Sequence, residues 1–296
     1  MTSGSTLLNV NSRSSGHDRA AAAWQRAARA RERAARERML AQRYAQEAGR
    51  VGDDMGRRLE YLHRTTAARH QVAAEILESF ARRAETWVRR GDAGPEFMAT
   101  VAEACGTTSA GLTLVDADCN QLAIASSGEP ASSALELEFV LGEGPARDAA
   151  RRRRLVVARD ASLAERWPGY GPALIDLGIR EVAAVPLEVP GDCVGALTVF
   201  DPQASVRGNG LLKRVADALT RTVLLGADAL PGLVEDTDIQ PKVHQAAGMV
   251  AVQMSCSVAD ALELIKARSF AEGRLIVDVA GDIVSGQLKL GREVEP

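Results

Sequence analysis

The sequence predicts an α+β fold: a helical N-terminal segment, an antiparallel sheet with flanking helices, and a C-terminal bundle of three short helices. Three observations predict it. Residues 18–90 are rich in Ala, Arg and Glu and contain no Pro. Residues 91–226 change to strand-like runs separated by Gly, Pro and Asp. From Val243 onward, apolar residues recur at helical spacing in three successive blocks.

The 296 residues are enough for one or two domains with extensions, at about 100–200 residues per domain. Residues 1–17, with their Ser, Asn and Gly, read as a disordered tail, without the basic start and hydrophobic block of a leader. No apolar run approaches the roughly 20 residues of a membrane span, so a cytoplasmic protein with no membrane partner is expected. Cys105, Cys119, Cys193 and Cys256 form no Cys-x-x-Cys pair, and the four histidines show no ligand spacing. Neither a metal site nor a disulfide framework is therefore expected.

Within residues 18–90, steps of three and four from Met55 reach Leu59, Leu62, Thr66, Arg69, Ala73, Ile76, Phe80, Arg83 and Trp87, an imperfect coiled-coil seam. The same register run backwards meets mostly Ala and Arg. Gly49, Gly52 and Gly56 mark a bend or break between the two stretches. Two readings are open. In one, Leu59, Leu62, Ile76 and Phe80 form a homodimer seam or signalling stalk; in the other, the helix packs back on its own domain. The first is preferred, because a lone helix would expose those side chains. The early arginines, Arg26 to Arg38, read as a solvated face, with contact to nucleic-acid phosphates as the alternative.

In residues 91–226 the strand candidates are Ala110–Val115, Gln121–Ser126, Leu155–Ala158, Glu181–Leu187 and Cys193–Phe200. Helical patterns cover Pro95–Cys105, Tyr170–Leu177 and Asn209–Leu225. Gly142 to Pro145 reads as a tight turn needing positive backbone angles; it lacks the Lys-Ser/Thr pair and third Gly of a phosphate loop. Arg151 to Arg154 read as an exposed helix end, with contact to an anionic ligand or RNA as the alternative.

Leu141-Gly142-Glu143-Gly144-Pro145, Arg147-Asp148-Ala149, Arg166-Trp167-Pro168, Gly178-Ile179-Arg180, Val185-Pro186-Leu187 and Val194-Gly195-Ala196-Leu197 follow one another through this region. In these runs the segment resembles the GAF domains. The resemblance implies a pocket between sheet and crossing loops for a small molecule such as a cyclic nucleotide, haem or bilin, and leaves the ligand or cofactor open. A bacterial subgroup with this turn commonly places Cys after the Pro, where this chain has Ala146. Thiol chemistry at that point is absent. Cys105, on an apolar helix face, reads as a core residue, and no catalytic residue is nominated.

After a linker at 227–238, residues 239–290 read as three helices, Val243–Met254, Val258–Glu272 and Leu275–Leu288, followed by a tail at 291–296. Their core stripes are Val243, Ala246, Ala247, Val250 and Met254, then Ala261, Leu262 and Ile265, then Ile276, Val279, Ala280 and Ile283. Pro241 suits a first turn, Ser257 with Asp260 a capping box, and Gly273 a helix end.

Ala246-x-Gly248-Met249, the Ser-x-x-Asp-Ala start at Ser257, and Leu275 with Val279-Ala280 make this segment resemble the ANTAR family. The resemblance implies an RNA-binding module that acts in transcription antitermination. The side chains suited to hairpin RNA are Lys242, Gln245, Gln253, Lys266, Arg268 and Arg274, with Gly248 permitting close approach and Met249 available for dimerisation. Acidic residues outnumber basic ones from Pro241 to Pro296, and many relatives carry Lys where this chain has Ala247. The expectation is a cytoplasmic, homodimeric regulator that joins a sensor of a small molecule or partner to RNA. The alternative is a protein-interaction module; a thiol-dependent enzyme on the GAF fold ranks below both.

Overall fold

The computed structural model describes residues 4–51, 54–90, 97–116, 119–203, 210–224, 239–272, 274 and 276–290. In chain order the helices are α1 (Gly4–Val51), α2 (Asp54–Arg90), α3 (Phe97–Ala104), α4 (Glu129–Leu141), α5 (Pro145–Arg152), α6 (Ala161–Arg166), α7 (Tyr170–Asp176), α8 (Leu211–Ala218), α9 (Ile239–Met254), α10 (Val258–Glu272) and α11 (Ile276–Val284). A π-helical stretch, Leu219–Leu224, continues α8. The strands are β1 (Ser109–Val115), β2 (Gln121–Ser126), β3 (Val156–Arg159), β4 (Glu181–Val189) and β5 (Asp192–Phe200). The chain divides into two compact units, residues 1–106 with 203–230 and residues 107–202 with 231–296.

In the first unit, α1 and α2 lie antiparallel. Trp24 Nε1 donates to Glu85 Oε1 at 2.7 Å, Arg31 to Glu78 Oε2 at 2.6 Å, and Glu37 Oε2 meets His63 Nδ1 at 2.6 Å. Tyr44 stacks on the His63 ring with centroids 5.3 Å apart. The α1 seam is almost pure alanine: Ala20, Ala27, Ala34, Ala41 and Ala48 recur every seven residues, with Ala23 and Ala30 between the first three, and all are buried. Side chains this small let two helices approach closely, so the stretch that read as a poor core is a close-packed one. The α1 helix starts at Gly4 and thus extends through most of the stretch read as a tail. Helix α1 ends at Val51 and α2 begins at Asp54, and Gly52, one of the three glycines read as a break, lies outside the described residues.

The predicted seam from Met55 to Trp87 divides in two. Its second half is covered within the chain, since α2 packs on α3 and α8, and Phe80 meets Phe97 edge-on at 5.5 Å. Ile76 and Phe80 are buried there, 1% and 6% exposed. The first half is open: Met55 and Leu62 are 58% and 55% exposed, and Leu59 is half-buried.

In the second unit the sheet order is β2-β1-β5-β4-β3, antiparallel throughout. All five predicted strands are present, within two residues at each end. Helices α4 and α6, which the sequence did not announce, and α5, of which it announced only the arginine-rich end, join α7 over one sheet face. Cross-strand partners share a face, so the pairings place Thr113 with Ala196, Gly111 with Thr198, Ala184 with Thr198, and Val182 with Phe200 on that side. Ala131, Ala134, Ala149, Leu163, Trp167, Tyr170 and Leu174 close the core above them. Gly111 lets the Leu135 side chain lie against β1: a Cβ there would stand 2.6 Å from it, and the leucine would have to shift.

The three C-terminal helices follow the predicted pattern. Val243, Ala246, Ala247, Val250, Ala261, Ile265, Ile276, Val279, Ala280 and Ile283 are all buried in one cluster. Ser257 Oγ accepts the Asp260 N–H at 3.1 Å and donates to Asp260 Oδ2 at 2.7 Å, which confirms the cap. Met254 departs from its stripe and is 38% exposed, because it ends α9 where the chain turns away. Pro95, Gly273, Leu275, the 227–238 linker and the 291–296 tail lie outside the described residues, as does the side chain of Pro241.

Candidate functional site

The Gly142-Glu143-Gly144 turn positions two carboxylates. Gly142 ends α4 with φ 69°, a left-handed conformation that favours glycine, and its N–H donates to the Glu138 carbonyl at 3.0 Å. Glu143 Oε1 then accepts the N–H groups of Gly169 (2.6 Å) and Tyr170 (2.9 Å), capping α7. Glu138 Oε1 accepts the Arg147 N–H at 2.7 Å in the first turn of α5. A Cβ on Gly144 would lie 2.5 Å from Glu138 Cδ. Arg166 pairs with Asp148 at 3.0 Å and covers the Trp167 ring at 5.2 Å. These motif residues bind α4, α5, α6 and α7 to one another, so the turn reading holds. Arg151 to Arg154 are exposed at the end of α5, where Arg153 donates to the Gly191 and Asp192 carbonyls.

Ala146 is fully buried, at the position where the subgroup has its thiol. Cys105 lies in the core, and burial pushes its thiol up to about 12. Among the described residues no cluster of His, Cys, Asp or Glu could hold a metal, and no single helix is long and apolar enough to cross a membrane.

The core over the sheet contains polar groups that the sequence reading did not single out. Glu138 is 4% exposed and Tyr170 fully buried. Among the described residues Glu138 Oε2 and Tyr170 Oη both lack a hydrogen-bond partner, as do the buried hydroxyls of Thr113 and Thr198 on the sheet face beneath. Burial raises the Glu138 carboxyl to about 7 against the stabilising N–H groups of Arg147 and Ala146. Burial also drives the Tyr170 phenol well above its ordinary range, and the Glu138 charge adds to it. Trp167 lies edge-on to Tyr170 with centroids 6.0 Å apart. Native cores leave few such atoms unpaired, so this concentration marks the candidate ligand site.

The other side of α4 serves a second core. Phe139 is part of the apolar cluster of α9, α10 and α11, and Val140 packs against it. Lys266 Nζ sits 4.4 Å from the Phe139 ring centroid and donates to Glu263 Oε1 at 3.0 Å. Glu136, 6% exposed, carries an Oε2 with no hydrogen-bond partner among the described residues, and its carboxyl is raised to about 7 by burial first, then by Asp278 and Glu129.

This arrangement sorts the residues nominated for RNA. Lys242, Gln245 and Gln253 are exposed on α9. Arg268 pairs with Glu272, and Arg274 with Asp282 at 2.6 Å and Glu272 at 3.3 Å, all near the junction of α10 and α11. Gly248 is half-buried, and a Cβ there would meet nothing within 4 Å. Lys266 is the correction: it is 7% exposed and folded onto Phe139 rather than presented to solvent. Met249 is half-buried against its own cluster.

Residues 92–222 match the GAF domain family, so the chain carries a GAF domain there. No ANTAR domain is detected. No curated protein and no solved structure matches the chain.

Proposed function

We propose that the protein is a cytoplasmic, non-enzymatic regulator in which the GAF domain senses a small molecule and the three C-terminal helices bind hairpin RNA to oppose transcription termination. The observation that carries this reading is the double role of α4. The helix places Glu138 in the sensor core and Phe139, one residue on, in the core of the C-terminal helices. A ligand that prefers one position of α4 therefore has a mechanical route to those helices. The exposed polar groups Lys242, Gln245 and Gln253, with Arg268 and Arg274 at the next junction, offer contacts to phosphates and loop bases. Homodimerisation through the open Met55–Leu62 face would double those contacts.

The test is binding of the full-length protein to tandem-hairpin RNAs from its own host, across a salt series and beside the Arg268→Glu/Arg274→Glu variant. Specific binding that weakens with salt and is lost in the variant supports the reading. No binding by a folded dimer overturns it. A second reading, a protein-interaction module, is favoured by one observation: the outer face of α10 exposes Leu264 and Phe270 beside Asp260 and Glu263, an acidic and apolar surface. It predicts capture of a protein partner by a variant that has lost RNA binding.

A further inference from the structure

The chemistry of the sensor core restricts what it can sense, and this inference rests on the sensing role proposed above. Four buried groups belong to the elements on and over one sheet face: the Glu138 carboxyl from α4, the Tyr170 phenol from α7, and the Thr113 and Thr198 hydroxyls from β1 and β5. Each has a buried oxygen without a partner among the described residues. The strand register puts both threonines on the sheet face that Tyr170 helps to cover, because Thr113 is paired with Ala196, and Thr198 lies between Ala196 and Phe200, members of the same apolar cluster. A buried, unpaired oxygen costs about 1–3 kcal/mol. Four together are a sustained cost in the chain alone, and a bound molecule with matching groups removes it.

Charge decides the class. A desolvated anion needs positive partners or several aimed N–H groups. Among the described residues Lys266 is the one buried cation, and it lies in the C-terminal core on Phe139. Arg147 and Asp148 approach Glu138 from α5 with opposite signs. The N–H groups at the start of α5 and α7 are taken by Glu138 and Glu143. What remains inside the core is a carboxyl and three hydroxyls, acceptors and short-reach donors, and the one cation acting on Glu138, Arg147, is opposed there by Asp148.

We propose that this GAF core takes a small, uncharged polar molecule carrying both hydrogen-bond donors and acceptors, held by Glu138, Tyr170, Thr113 and Thr198, and that it rejects anions, cyclic nucleotides included. A ligand N–H or O–H donates to Glu138 Oε2. A ligand carbonyl or ring nitrogen accepts from Tyr170 Oη, and the threonine hydroxyls turn to suit.

The experiment is thermal-shift and calorimetric binding with the full-length protein, using uncharged probes (nucleobases, primary amides, polyols) and anionic ones (cyclic AMP, cyclic GMP, inorganic phosphate, dicarboxylates). An uncharged probe is expected to bind, and Tyr170→Phe and Thr198→Val each to weaken it about tenfold, the factor for one lost hydrogen bond. Both substitutions keep side-chain shape, so the variants remain folded. Binding of an anionic probe that these substitutions weaken overturns the charge class and leaves the sensing role standing. No binding by any probe, with the two variants more stable than the parent, overturns both, because the unpaired oxygens are then only a structural cost.

Discussion

Lys266 and Phe139, far apart in sequence, are joined by a cation–π contact of 4.4 Å from Nζ to ring centroid. The Glu263 carboxylate completes the ammonium's surroundings at 3.0 Å. The pair ties α10 to α4, and its loss has two separable effects.

Phe139→Ala removes a buried ring from the C-terminal core and is expected to destabilise the protein by about 3–5 kcal/mol. Phe139→Leu retains most of the apolar volume but loses the ring face. It is expected to leave the fold intact while raising the reactivity of Lys266 toward acetylation, read by peptide mass spectrometry. Unchanged Lys266 labelling in Phe139→Leu would show that burial alone, not the ring, holds the ammonium.

Stability is expected to fall as pH rises from about 4.5 to about 7. Glu136 and Glu138 both titrate near 7 in the folded chain because of burial, whereas an unfolded glutamate titrates near 4.3. Between these values the folded state holds protons that the unfolded state has released, so the slope of stability with pH is negative. The contribution is fully present below the unfolded value and lost once pH passes the folded one. For Glu138 the loss is about 3–4 kcal/mol. Chemical denaturation of Glu138→Gln at pH 5 and pH 8 checks it: the difference between the two pH values should shrink.

Glu143→Ala should cost about 1 kcal/mol, the usual worth of a helix cap, because the N–H groups of Gly169 and Tyr170 lose their acceptor. Glu143→Gln keeps an acceptor oxygen and should recover most of that loss. Equal melting temperatures for the Ala and Gln variants would show that the cap contributes little.

Met55→Glu with Leu62→Glu is expected to shift a dimer toward monomer in analytical ultracentrifugation without lowering the melting temperature, since both side chains are exposed. Ile76→Ala should instead lower stability by about 2–5 kcal/mol and leave the association state unchanged. The opposite pairing of results would place the subunit contact on the Ile76 and Phe80 side.

Elements with one wet and one dry face were legible in the sequence. Helix α10 keeps its predicted limits, Val258–Glu272, because Ala261 and Ile265 face inward while Asp260 and Glu263 face out. Helix α4 was not legible. From Ala131 to Leu141 no residue is exposed, so no wet stripe gives it a period, and Leu135-Glu136-Leu137-Glu138-Phe139 alternates as a strand would. The same burial hid Glu138, since acidic residues are ordinarily assigned to the surface. The N-terminal hairpin shows a different limit: a seam of alanines has little apolar contrast, and a heptad pattern cannot say whether its partner is another chain or the same one. Lys266 lies beside Ile265 on the inner edge of α10, yet its partner is on a distant element that sequence periodicity does not reveal.

The double burial of α4 also bears on how such a protein can be rearranged by recombination. A C-terminal helical unit attached by a linker could be exchanged between sensors as a cassette. Here, deleting residues 239–290 would strip the cover from Phe139 and Val140, and grafting them onto another sensor would leave Lys266 without its ring. Moving the C-terminal helices to another sensor therefore requires moving α4 with them, so that Phe139 and Val140 keep their cover.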